Sequence, residues 1–168
     1  TERKRMEDVL RESEERFKAI ANYAVSWESW FGPDGKYIWV NPGVEYFTGY
    51  SAQEILAMPD FVSTVVAEED RPTFIQRFQE AIHGSREENF EFRYLHKNGD
   101  KRWLSASWQP IYDAQGNPLG TRSSGYDITE RKQAEEALRE SEERYRRLAE
   151  NASDIVCRFE FGPPYRVA

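Results

Sequence analysis

His83 and His96 are the only imidazoles and Cys157 the only thiol in this 168-residue chain. They bound what ligation or thiol chemistry it can do. Zinc-type sites draw on cysteines and histidines at short spacing, and no such cluster occurs. His83 closes a helical stretch, where a partly positive ring suits the dipole, and His96 precedes a turn. There is no Ser–His–Asp set, no carboxylate–histidine cluster and no phosphate-cradling glycine loop. "GPDG" (32–35) and "KNGD" (97–100) have the composition of turns and nothing more. Catalysis is therefore not expected of this segment. What remains is binding and packing, because aromatic residues make up 14% of the chain and fall in alternating runs.

The bulk properties narrow the partners. A net charge of −7 leaves no basic face for phosphates, so nucleic acid is excluded. Apolar runs are only a few residues long, so no membrane contact is expected within this segment. No signal peptide is visible. The lone cysteine fits a reducing compartment, and a cytoplasmic location is expected.

The elements that position these residues can be read from period and punctuation. "SWESWFGPDGKYIWVNP" (26–42) predicts two short strands around a Pro-Asp-Gly turn. "PGVEYFTGYSAQEIL" (42–56) has helical spacing, with Ser51 as an N-cap. "EEDRPTFIQRFQEAIHGS" (68–85) predicts a helix with Pro72 in its first turn and Phe74, Phe78 and Ile82 on one face. "NFEFRYLH" (89–96) alternates as a half-buried strand does. An Asn-Gly turn joins it to "RWLSASWQPIYD" (102–113), and "DAQGNP" turns that strand into "LGTRSSGYDIT" (119–129). Strands before and after a group of helices imply an α+β domain, an antiparallel sheet with helices on one face.

The chain also repeats itself. "TERKRMEDVLRESEERF" opens at Thr1 and "TERKQAEEALRESEERY" returns at Thr129. In the first copy Met6, Leu10, Ser13, Phe17, Ile20 and Ala24 alternate spacings of four and three. Ala134, Leu138, Ser141, Tyr145, Leu148 and Ala152 do the same in the second. That is a heptad seam. Its narrowness suits a partner helix; the other reading is an amphipathic helix lying on its own domain.

The order of motifs resembles the PAS family. "GPDGKYIWVNPGVEYFTGYSAQEIL" is similar to its first half. "EFRYLHKNGDKRWLSASWQPIYDAQGNPLGTRSSGYDITERKQAEEAL" is similar to its second half, with the PAC motif ending in Asp-Ile-Thr-Glu-Arg-Lys. The resemblance implies a five-stranded antiparallel sheet with helices on one face, flanked by N- and C-terminal coiled-coil-type helices. The implied organisation is a linker helix at 1–24, a PAS domain with its PAC motif at 25–128, a second linker helix at 129–152, and the start of a further PAS unit at 153–168, where "IVCRFEF" reads as a strand. The chain would then be one period of a tandem array.

The resemblance also tests cofactors. Flavin-binding light sensors of the family need a cysteine where this chain has "AMPDFVST", and haem-binding oxygen sensors need a histidine near Arg71. Neither is present, so neither cofactor is expected; a small metabolite stays open. Strand alternation and the resemblance together place Trp27, Ser29, Phe31, Phe90, Phe92, Tyr94, Leu104, Ala106, Trp108, Thr121, Ser123 and Gly125 toward the helices. These side chains either fill the core or line a small pocket with Ser29, Tyr94, Thr121 and Ser123 as polar handles.

Function follows from the resemblance alone. The implied role is a sensory module that senses a small molecule or relays a signal, and passes it through the helical linker to a histidine kinase or diguanylate cyclase. The alternative is a ligand-free dimerisation and relay spacer. Asp127, Ile128 and Thr129 are the expected relay residues; Asp127 should bond nearby backbone or an arginine, or simply cap the next helix. The expected partners are a second copy, held through the helices and the outer sheet face, and neighbouring PAS units. Trp103, on that outer face, should be covered by the first helix near Phe17 and Ile20 or by a second chain.

Overall fold

The computed structural model describes residues 1–160, with side chains described to residue 152. It separates into two units, Thr1–Thr129 and Glu130–Ala168. The first holds helix α1 (Glu2–Asn22), strands β1 (Trp27–Phe31) and β2 (Tyr37–Val40), and helices α2 (Val44–Thr48), α3 (Ala52–Ala57) and α4 (Phe61–Val65). A short 3-10 turn (Glu68–Asp70) then leads into α5 (Arg71–Ile82), followed by β3 (Glu87–Leu95), β4 (Lys101–Tyr112) and β5 (Pro118–Asp127). The five strands form one antiparallel sheet in the order β2-β1-β5-β4-β3.

The short helices start where a side chain satisfies their free N–H groups. Ser51 accepts from the Glu54 N–H while the Glu54 carboxylate accepts from the Ser51 N–H, a capping box. Asp60 accepts from the Ser63 N–H at 3.0 Å and so starts α4. Gly49 ends α2 with φ +75°, and a Cβ there would meet the His96 ring and the Lys97 Cβ at 2.9 Å. A left-handed, crowded position of this kind suits only glycine.

The core lies between the inner sheet face and α2–α5, and Phe74 is its centre. Its ring meets Phe61, Phe78, Phe90, Phe92 and Trp108 at centroid separations of 4.9–6.5 Å. On the opposite face, α1 runs over β1 and β2, where Phe17 lies 6.0 Å from Trp39. Asn41, fully buried, fixes the end of that helix. Its Nδ2 donates to the carbonyls of Ala21 (3.2 Å) and Ser26 (2.9 Å), and its Oδ1 accepts from the Glu28 N–H (3.0 Å).

Two expectations need correcting. Trp103 is not covered by Phe17 and Ile20, which lie toward Trp39; the guanidinium of Arg93 sits over its ring, 5.2 Å from the centroid. The strand read at 155–161 is helical over its described residues, 155–160, because α6 runs from Thr129 to Glu160. A lone strand leaves its backbone groups unpaired, whereas a helix pairs its own. The rest of the segment read as a further PAS unit, 161–168, lies outside the described residues.

Taken alone, α6 carries the repeated seam on a charged background, with ion pairs such as Arg131–Glu135 at 2.9 Å. Leu138, Tyr145 and Leu148 are exposed. So are Met6, Leu10, Phe17 and Ile20 on α1, despite the contact of Phe17 with Trp39. Among the described residues no helix is long and apolar enough to cross a membrane.

Candidate functional site

Strand alternation brings most of the inner-face residues together. Trp27, Ser29, Phe31, Phe92, Leu104, Ala106, Trp108, Ser123 and Gly125 line a small, partly open cavity, walled on the helical side by Phe61, Phe74 and Phe78 and from β2 by Tyr37. The cavity is about 30 Å³. A single water needs roughly 10–15 Å³, while pockets for metabolites run to about 300–1,000 Å³. Trp27, Phe92, Leu104, Ala106 and Trp108 also belong to the buried core.

The polar atoms around this cavity are unevenly satisfied. The Tyr37 phenol bonds to Ser29, and burial pushes its pKa far above the ordinary tyrosine range. Trp27 is buried, and its indole N–H meets no protein acceptor. Thr121 and Tyr94 were expected at the pocket but act elsewhere. The Thr121 hydroxyl donates to the Ala81 carbonyl at 3.2 Å, tying β5 to α5.

Tyr94 belongs to the second feature, the junction between β5 and α6. Its ring is completely buried, and its hydroxyl donates to Asp127 Oδ2 at 2.8 Å. The other carboxylate oxygen, Oδ1, accepts from the Thr129 N–H at 2.8 Å. The Thr129 hydroxyl accepts from the Trp103 N–H at 2.9 Å, and the Ile128 N–H donates to the Trp103 carbonyl at 2.9 Å. The three residues expected to relay are thus bonded to both β3 and β4. Of the partners considered for Asp127, nearby backbone is the one found; the buried phenol is an addition that sequence alone did not reveal.

Burial, and then the bond to Asp127, hold the Tyr94 hydroxyl well above the usual tyrosine pKa. A raised pKa favours the neutral phenol in the fold. The associated stability is complete below about pH 10, where an unfolded tyrosine begins to ionise, and is lost as pH rises further toward the folded value. Tyr94→Phe removes the ionisable group together with a charge-assisted bond worth about 1.5–3 kcal/mol. In urea titrations the stability gap between the native chain and Tyr94→Phe should narrow between pH 9 and pH 11. A gap that stays constant or widens would contradict a buried neutral phenol.

Among the described residues no group of three His, Cys, Asp or Glu side chains could hold a metal. His83 Nδ1 pairs with the Gln79 carbonyl at 2.6 Å, and His96 Nδ1 accepts from the Asn98 N–H at 3.1 Å, so both imidazoles serve local turns. Arg71, where a haem-binding relative would carry histidine, donates to the carbonyls of Val66 (3.0 Å) and Ser63 (2.9 Å). The Cys157 side chain lies outside the described residues.

A family model described as the PAS fold matches residues 37–123. The chain belongs to the PAS family. This PAS segment is 32% identical over 91 residues to the two-component sensor PprA of Pseudomonas aeruginosa, a match covering 54% of the chain and 10% of that protein. It is 27% identical over 147 residues to the probable diguanylate cyclase DgcE of Escherichia coli, covering 87% of the chain and 13% of that protein. It therefore spans only a small part of these relatives. Among solved structures it resembles the sensory box histidine kinase/response regulator of Burkholderia thailandensis. The TM-score there is 0.58 and the identity 26%, covering 79% of this chain and 98% of that one. The relatives are signalling proteins, and the PAS segment is their sensory type of module rather than a catalytic domain.

Proposed function

We propose that this PAS domain relays a signal from its sheet into α6, and through it to a histidine kinase or diguanylate cyclase, by way of Asp127. The observation that carries this reading is the pair of hydrogen bonds that Asp127 accepts, from the buried Tyr94 phenol on one side and from the first turn of α6 on the other. A displacement in β3 would reach the helix through two short hydrogen bonds. The exposed seams on α1 and α6 and the outer sheet face favour a homodimer in which paired helices carry the output. Neighbouring PAS units in a tandem array would supply the input. A cytoplasmic location goes with this reading, and neither haem nor flavin is needed for it.

The test is Asp127→Ala in a full-length protein carrying this segment and its output domain. The thermal midpoint of the PAS domain should fall by roughly 10 °C, as loss of a charge-assisted bond implies, while output activity, read where the domain is still folded, stops responding to input. Normal regulation in a folded Asp127→Ala protein would refute the assignment. A second reading, direct sensing of a small molecule, is favoured by the unsatisfied Trp27 N–H at the cavity. Native mass spectrometry of the purified chain decides between an occupied and an empty domain.

A further inference from the structure

The strand β3 lies at the edge of the sheet, and an uncovered edge is a hazard as well as an opportunity. Here the segment before α5 covers it. Val66 forms an isolated bridge with Tyr94, and the Ala67 N–H donates to the Arg93 carbonyl at 2.9 Å. The Arg93 N–H in turn donates to Asp70 Oδ2 at 2.7 Å. Both backbone groups of Arg93 on the free edge are thus satisfied from the helical layer.

The side chain of Arg93 continues the connection around the edge to the outer face. Its guanidinium grips Asp70 with two parallel bonds, Nε to Oδ2 at 2.8 Å and Nη2 to Oδ1 at 2.6 Å. Glu69 adds a contact at 3.2 Å and is itself paired to Lys101 at 2.6 Å. Two-pronged pairs of this kind fix orientation as well as distance. Held so, the guanidinium lies over the Trp103 ring, within the range of an attractive cation–ring contact. Trp103 is the residue whose backbone N–H and carbonyl engage Thr129 and Ile128.

We propose that Asp70 is a positioning residue for the exit helix: through Arg93 and Trp103 it sets where the first turn of α6 begins. This route runs over the outer face of the sheet, separate from the inner route through the Tyr94 phenol. It makes the segment 66–71 an entry point for the signal, and in that sense it rests on the relay reading. Asp70 touches nothing at the junction itself; besides holding the Arg93 backbone N–H, it reaches the junction through the guanidinium and the indole.

Hydrogen exchange on the full chain tests this without any output domain. Asp70→Asn keeps the size and loses the charge, and should speed exchange of the Ile128 amide on the order of tenfold by loosening a local opening. Amides of Trp30 and Trp39, on the far side of the sheet, should change less than about twofold. Trp103→Leu should produce a similar acceleration at Ile128, and adding Asp70→Asn to it should produce little more, as for two members of one connection. Unchanged exchange at Ile128 in Asp70→Asn overturns the proposal. So does an equal acceleration across all strands, which marks a general loss of stability, and so does full additivity with Trp103→Leu. Coupling seen here together with normal regulation in Asp127→Ala would refute the relay and leave the positioning role intact.

Discussion

Phe74→Ala should cost about 3–5 kcal/mol of stability, the range for removing a buried aromatic ring whose neighbours cannot collapse into the space. Phe74 is 6% exposed and touches five aromatic rings drawn from α4, α5, β3 and β4. Rings held on four different elements have little freedom to move together. A domain of this size has a total of about 5–15 kcal/mol, so the variant sits near the edge of folding. With a urea dependence of about 1–3 kcal/mol per molar, the unfolding midpoint should fall by roughly 2 M. Tryptophan fluorescence follows it, since Trp108 packs against Phe74 at 6.3 Å. A loss below about 1 kcal/mol would mean that the core relaxes around the hole and that Phe74 is not its centre.

The second large effect concerns the phase of α6. Its seam spacing of four and three begins at Ala134, close after Thr129, whose N–H Asp127 accepts, so residues inserted between them change the helical phase of Leu138, Tyr145 and Leu148. Seven inserted residues at Gln133 return the seam to within about 20° of its direction, and keep the heptad count. Four inserted residues turn it by about 40° and break the count. In a full-length protein with its output domain, the seven-residue insertion should preserve regulation. The four-residue insertion should lock the output on or off. Paired helices favour discrete arrangements over gradual deformation, and Ser141 weakens one layer of the seam so that two arrangements can lie close in energy. If both insertions leave regulation intact, α6 is a passive tether.

Much of the fold was legible because the strands alternate. Phe90, Phe92 and Tyr94 against Glu91 and Arg93 announce β3, and Ser51 with Glu54 marks the start of α3. The region 57–70 was not legible. It holds a five-residue helix and a 3-10 turn, too short to show a period, and Asp60 starts the helix through a contact that composition does not reveal. Phe61 and Tyr37 were missed as cavity walls for that reason, and because β2 has only four residues. Asp127, Ile128 and Thr129 were visible as a motif, yet the partner of Asp127 was not. Tyr94 alternates inward like any core residue, and only the three-dimensional fold brings its hydroxyl to the end of β5. The strand read at 155–161 shows the opposite fault, since an apolar run suits a helix as well as a strand, and α6 continues to Glu160.

Asn41 decides what can be spliced onto this domain. The amide grips α1 and the chain beyond it through two main-chain carbonyls, those of Ala21 and Ser26. Main-chain oxygens are supplied by every amino acid, so the grip is blind to the identity of the helix that arrives. A foreign input helix joined upstream of Ala21, in the same helical phase, would be seated by the same amide at the same angle. A graft junction between Ala21 and Ser26 would separate the two carbonyls and leave a buried side-chain amide without one of its acceptors. One asparagine thus gives the module a standard socket, open to many inputs and strict only about where the cut is made.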